Sequence, residues 1–302
     1  MGTGTFDPGK YRAYASTTVG KTTEEVFTAR GIKAALNPKG VKLRESRDSL
    51  DNPTSTPIIV AIDETGSMGM LADVIARKGL GVLFEAILAR KPVSDPHLMF
   101  MAFGDITCDQ SPLQVSQFEA DNRIVEQLTE IYLEGNGGGN GHESYELPWY
   151  FAAYHTVHDS LLKRGKRGYL FTVGDEPIGP GLKKGELARI LDDGAERDYS
   201  TLECLEAARR MYDCYHIVIK EGNFARGDLA QVTKTWQPLL GQHVIYLDDH
   251  TKLAETIVSA IEVAEGRDAH ASTAGWGTSA HVVLEAVKHL PKGAPPKMLG
   301  AP

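Results

Sequence analysis

From residue 58 onward the chain alternates between short unbroken apolar runs and longer segments whose apolar residues recur at helical spacing. Ile58-Ile59-Val60-Ala61-Ile62 is rich in β-branched residues and has no polar interruption, which predicts a strand buried on both faces. A helix follows over roughly 70–90, with Met70, Leu71, Val74, Ile75, Leu80, Leu83, Phe84, Ile87 and Leu88 on one stripe. Residues 97–103 read as a second buried strand, and 113–118 as a short alternating edge strand that forms a hairpin with it. Beyond these, the pattern predicts helices over 122–133 and 145–162, the second with Pro148 in its tolerant first turn. Between them runs a glycine-rich loop, 135–144. Further strands are expected at 168–173, 215–220 and 243–247, with helices near 183–192, 200–212, 226–235 and 251–264.

Strands that alternate with helices in this way imply an α/β fold, a mostly parallel sheet of six strands with helices on both faces. The pair within 97–118 supplies one antiparallel edge strand. Residues 1–57 form an N-terminal extension with a capped helix from Thr22 to about residue 36, signalled by Thr22-Thr23-Glu24-Glu25. Residues 58–266 form the main domain. Past Gly266 the composition shifts to Ala, Gly, Ser, His and Pro, so 267–302 reads as a tail with one helical stretch at 280–290.

Composition narrows the function classes. The 302 residues are 42% hydrophobic and 24% charged, as in ordinary globular chains, with a net charge of -8. An acidic chain whose one basic run is Lys163-Arg164-Gly165-Lys166-Arg167 has no nucleic-acid footprint. Three scattered cysteines (Cys108, Cys204, Cys214), no apolar leader and no run of about 18 apolar residues suggest a cytoplasmic protein without a membrane span.

The chemistry concentrates where predicted strands end. The first strand runs into Asp63-Glu64-Thr65-Gly66-Ser67-Met68, in which Asp63, Thr65 and Ser67 alternate and can converge on one point. The glycine-rich loop offers Asn140 and Glu143, and the strand 168–173 ends in Gly174-Asp175-Glu176-Pro177. In a parallel sheet, loops that follow strands leave from one edge, the edge where ligands bind. Carboxylates and hydroxyls are hard oxygen donors that suit Mg²⁺, Mn²⁺ or Ca²⁺ rather than zinc. Each loop taken alone could equally be a helix cap or a turn, since Asp, Ser, Thr and Gly serve both.

Asp63-Glu64-Thr65-Gly66-Ser67-Met68 resembles the D-x-S/T-G-S-M motif of von Willebrand factor type A domains, the first loop of their metal-ion-dependent adhesion site. The element order from 58 to about 265 is similar to that family as well. The resemblance implies a doubly wound, Rossmann-like six-stranded sheet with the metal on its upper edge. It implies Asp63, Thr65 and Ser67 as metal ligands and Asp175 as the third-loop aspartate. The second loop departs from the common pattern, because no threonine lies between Gly135 and Ser144. It resembles instead the G-x-x-E version of integrin β-type domains, which puts Glu143 at the metal, with His142 where that version has proline.

Other motifs compete. Ala15-Ser16-Thr17-Thr18-Val19-Gly20-Lys21-Thr22 fits a relaxed phosphate-loop pattern, and 58–64 could be its Walker B partner. That chemistry needs a buried strand before the loop, and Lys10-Tyr11-Arg12-Ala13-Tyr14 is too polar for one. His142-Glu143-Ser144-Tyr145-Glu146 lacks the second histidine of a zinc protease. His155 and His158 read as solvent-facing residues on a helix. Asp192-Asp193 and Asp248-Asp249 read as helix-end carboxylates.

The expected function is therefore a non-enzymatic binding module. A divalent cation held by Asp63, Thr65, Ser67, Glu143 and Asp175 takes an Asp or Glu carboxylate from a partner protein. The resemblance implies assemblies with an AAA ATPase or another effector. The alternatives are a P-loop ATPase, or a hydrolase that uses metal-bound water with Glu64 or Glu176 as base.

Overall fold

A computed structural model describes residues 4–65, 80–134 and 141–293. Its described strands are β1 (Arg44–Ser46), β2 (Thr56–Asp63), β3 (Pro96–Phe103), β4 (Leu113–Val115), β5 (Thr156–His158), β6 (Gly168–Gly174), β7 (Tyr212–Ile219) and β8 (Val244–Leu247). Six of them form one sheet in the order β4-β3-β2-β6-β7-β8, parallel throughout except for β4, which runs antiparallel to β3. The chain is thus a mixed α/β protein with the mostly parallel sheet and antiparallel edge that its hydropathy implies.

β2 is buried along all eight residues because both its faces are covered. Side chains alternate across a strand, so neighbouring residues enter different cores. Ile58, Val60 and Ile62 pack with Phe84 and Ile87 of helix Leu80–Arg90 and Ile257 and Ile261 of helix Leu253–Ala264. Ile59 and Ala61 pack with Trp149, Phe151, Leu205 and Trp236 on the opposite face. Two apolar layers on one strand explain why its hydropathy shows no alternation.

The differences from the sequence reading have local causes. The stretch 145–162 is not one helix. It divides into helix Glu146–Tyr154, strand β5 and helix Asp159–Arg164. Thr156 and Val157 are β-branched, and the Thr156 hydroxyl donates to the Ala152 carbonyl at 2.6 Å, at the end of the first helix. β5 then pairs in parallel with β1 in a separate two-stranded sheet. His155 and His158 are consequently buried, at 6% and 0% exposure, where solvent-facing positions were expected. His158 uses Nδ1 to accept the Leu161 N–H and cap the second helix.

At the N-terminus, the Thr22 capping box is present but starts a helix of only four residues, Thr23–Val26. The longer helix lies earlier, at Pro8–Thr18, capped by Asp7. Lys10 to Tyr14, the position a phosphate loop would need as a strand, lies inside it. Helix Asn223–Leu240 outruns its expected bounds, with a break at Asp228 (φ -146°, ψ 68°). Residues past Gly266 include helices Ala269–Thr273 and Ala280–Val287, both packed on Leu253–Ala264. Arg90 ties this region to the core, bonding Glu262 at 2.9 and 2.8 Å and lying 4.1 Å over the Trp276 ring. No described helix is long and apolar enough to cross a membrane. Ser67, Asn140 and the first half of the helix expected at 70–90 lie outside the described residues.

Candidate metal centre

The carboxyl ends of β3, β2 and β6 lie side by side. The register pairs Asp63 with Phe103, and Ile62 with Val173. Asp63 is therefore level with Gly174, and the loops beginning Asp63-Glu64-Thr65 and Asp175-Glu176 leave adjacent strands in the same direction. Both aspartates are fully buried, and Thr65 is 1% exposed. Asp63 Oδ1 accepts the Thr65 N–H at 2.9 Å and the Thr65 hydroxyl at 2.6 Å, which folds the first loop back on its own carboxylate. Asp175 Oδ2 accepts the Phe224 N–H at 2.8 Å, at the start of helix Asn223–Leu240.

Glu143 reaches the same edge through backbone pairing. Its N–H donates to the Pro177 carbonyl at 3.1 Å, and its own carbonyl accepts the Gly179 N–H at 3.0 Å. The second loop is in this way joined to the third, and Glu143 is carried inside at 2% exposure. Among the described residues its Oε2 is buried without a hydrogen-bond partner, as are His142 Nδ1 and Glu146 Oε2 nearby in sequence. A buried unpaired carboxylate oxygen is costly and calls for an occupant.

The structure adds residues that the sequence reading passed over. The Tyr145 hydroxyl donates to Asp63 Oδ2 at 3.3 Å and accepts the Glu176 N–H at 3.3 Å, bridging the first and third loops. The Tyr145 ring is held edge-on by Phe103, His216 and Trp236 at centroid distances of 4.9, 5.0 and 4.9 Å. A Cβ at Gly174 would overlap the Tyr145 hydroxyl, and one at Gly222 would overlap the Asp175 side chain. Asp105, two residues past β3, is also fully buried and accepts the Thr107 N–H and hydroxyl, both at 2.6 Å. Phe103-Gly104-Asp105 repeats the signature of Val173-Gly174-Asp175, an aspartate just after a buried strand, and that signal could have found it.

Burial raises the pKa of Asp63, and the charges of Asp175 and Glu176 push it further, against the two Thr65 bonds. Glu143 is raised by burial first and then by Asp63, Glu176, Asp105 and Asp109. The strongest charges acting on both groups are other carboxylates. Glu64 turns away from this edge. Both its oxygens accept from Gln114 Nε2, at 3.0 and 3.1 Å, and burial holds its pKa well above the ordinary range.

These donors fit a hard divalent cation. Asp63, Thr65, Glu143 and Asp175 offer oxygen only, mutual carboxylate repulsion favours a compensating charge, and Glu143 Oε2 has no hydrogen-bond partner among the described residues. The three carboxylates are not drawn into a tight cage. Among the described residues, the trio with all ligand atoms within 4.8 Å of one another is Glu221, Asp249 and His250, beyond the ends of β7 and β8. That trio is occupied by local bonds: Glu221 accepts from His250 N–H and Nδ1 at 2.7 and 2.6 Å, and Asp249 accepts from Thr251. Wider spacing at Asp63 suits an ion that keeps several waters, as Mg²⁺ does.

No family model and no curated protein matches the chain. Among solved structures, the pilus adhesin SpaC of Lactobacillus rhamnosus GG in its open conformation is similar at 12% identity and TM-score 0.44, over 75% of this chain and 32% of that one. A second crystal structure of the same adhesin gives 10% identity and TM-score 0.46, over 74% and 32%. Proximal thread matrix protein 1 from the mussel byssus gives 11% and 0.39, over 73% and 48%. This chain therefore spans less than half the length of each, and at these scores the likeness carries no argument about family or activity.

Proposed function

We propose that the protein is a von Willebrand factor type A-like binding module, doubly wound over 58–266, that recruits an acidic side chain of a partner protein through a divalent cation. The observation that supports it best is the placing of buried Asp63 and Asp175 on adjacent strand ends, with buried Glu143 paired to the third loop and its Oε2 without a hydrogen-bond partner among the described residues. Asp63, Thr65, Glu143 and Asp175, together with Ser67 from the motif, would hold the ion. A bound Mg²⁺ or Mn²⁺ supplies a positive centre with an exchangeable position that a carboxylate can enter.

The chain's own residues shape that position. Thr65 fixes one Asp63 oxygen and Tyr145 fixes the other, so the carboxylate is held in place before any ligand arrives. Phe224 N–H does the same for Asp175. A binding role is favoured over hydrolysis because Glu64, the nearest candidate base in sequence, has both oxygens on Gln114. An AAA ATPase or other effector as the partner rests on the family resemblance alone.

Water-proton relaxation of a Mn²⁺ titration separates the two parts of this reading. Saturable enhancement that is lost in Asp63→Ala supports the metal centre. A fall in that enhancement on adding a glutamate-containing peptide, but not its glutamine counterpart, supports carboxylate capture. Enhancement that the peptide leaves unchanged would contradict the binding role, and none at all would contradict the centre.

A further inference from the structure

A cleft of about 450 Å³ lies away from the metal edge, between helix Glu146–Tyr154 and the loop 193–199. Three tyrosines line it. Tyr150 and Tyr154 are four residues apart on one helix, so their rings share a face and lie 4.6 Å apart at 42°. Tyr199 comes in from the loop, 5.0 Å from Tyr150 at 72° and 5.7 Å from Tyr154 at 58°. No pair is parallel, and with Tyr150 only 3% exposed the open part of the lining comes from Tyr154 and Tyr199.

The base of the cleft holds a carboxylate already fixed in place and paired with His155, whose Nδ1 faces the Val41 carbonyl at 2.8 Å. Asp193 Oδ2 accepts the Tyr150 hydroxyl at 2.7 Å and faces His155 Nε2 at 3.2 Å, and Oδ1 accepts the Ala195 N–H at 3.1 Å. Burial would raise the Asp193 pKa, but these bonds outweigh it and hold the carboxyl below its usual value. Glu196 adds a second carboxylate at the rim. The cluster already carries one cation, since the Arg197 guanidinium lies 4.3 Å over the Tyr199 ring while bonding Glu203 at 2.7 Å. Tyr154 remains 44% exposed.

We propose that this cleft binds a quaternary ammonium group. Aromatic faces beside a carboxylate attract a cation, and the effect is largest for one that is easily desolvated. Asp193 has spent three of its roughly four acceptor positions, which leaves little for the N–H donors of a guanidinium or a primary ammonium. A trimethylammonium group has no N–H to satisfy. It gains the ring faces and the field of the carboxylate without needing a bond to either. This inference does not rest on the metal reading.

The test is a choline titration of the full chain, followed by tyrosine fluorescence, against 3,3-dimethylbutan-1-ol, which has the same shape and no charge. Saturable choline binding at least about fivefold tighter than the neutral isostere is expected. Tyr154→Leu should weaken choline severalfold and leave far-UV circular dichroism unchanged, because that ring is partly exposed. A peptide bearing trimethyl-lysine, titrated in parallel, tells a protein-borne ammonium from a small molecule by which binds more tightly. Equal binding of choline and the isostere, no saturation by choline or the peptide, or a Tyr154→Leu protein that binds choline as before would overturn the proposal.

Discussion

Tyr145 does at the scale of one residue what the sheet register does for the strands: it fixes how far apart the first and third loops stand. Its hydroxyl sits between Asp63 and the Glu176 N–H, and Gly174 is the neighbour that leaves it room. Gly174→Ala would drive a methyl into the hydroxyl end of a fully buried ring with three aromatic neighbours. A loss of about 1–3 kcal/mol in urea denaturation is expected, with weaker Mg²⁺ binding in calorimetry. Wild-type stability in that variant would show that the contact can relax. That Asp63, Thr65 and Asp175 sit at one sheet edge was legible beforehand, because oxygen donors that follow apolar runs are visible in one dimension. Tyr145 and Gly174 were not, since their role depends on which strands become neighbours. His155 and His158 were misread for a related reason: a three-residue strand is too short to break a helical periodicity.

At the scale of elements, the third loop is held from behind by helix Asn223–Leu240. Trp236 donates from Nε1 to the Glu176 carbonyl at 3.0 Å and stacks on His216 at 3.5 Å, with Trp149 edge-on at 5.8 Å. The helix thus supports the loop at Glu176 through Trp236 and at Asp175 through the Phe224 N–H. Trp236→Phe would keep most of the apolar area and leave that carbonyl without its side-chain donor. The expected cost is about 1–3 kcal/mol, read by thermal unfolding. Mg²⁺ affinity should fall as well, which loss of core packing far from the edge would not produce. The six strands of the main sheet were readable because both faces of the sheet are covered, making each central strand uniformly apolar. The β1–β5 pair was not, because its partners are 112 residues apart and its strands are three residues each.

Across the whole molecule, acidic charge gathers at one edge of the sheet and dominates how stability should respond to pH. In the ion-free protein, burial and neighbouring carboxylates raise Asp63 to about 8 and push Glu143 up in the same sense. Groups raised in the folded state bind protons more tightly there than in the unfolded chain. Their contribution is complete below the ordinary carboxylate range, near pH 4, and is lost as pH rises through the folded values. With chelator present, the melting temperature should therefore fall between pH 5 and about 8. Excess Mg²⁺ should reverse that fall, its effect growing with pH. A Mg²⁺ effect that is the same at both ends of this range would separate the ion from these carboxylates.

The anomalous difference map of a crystal soaked in Mn²⁺ tests the proposed metal centre directly. A peak is expected at the carboxyl edge of β2, within coordination reach of Asp63 and its neighbours Glu143 and Asp175. A peak at Glu221, Asp249 and His250, with none beside Asp63, would contradict the proposed centre.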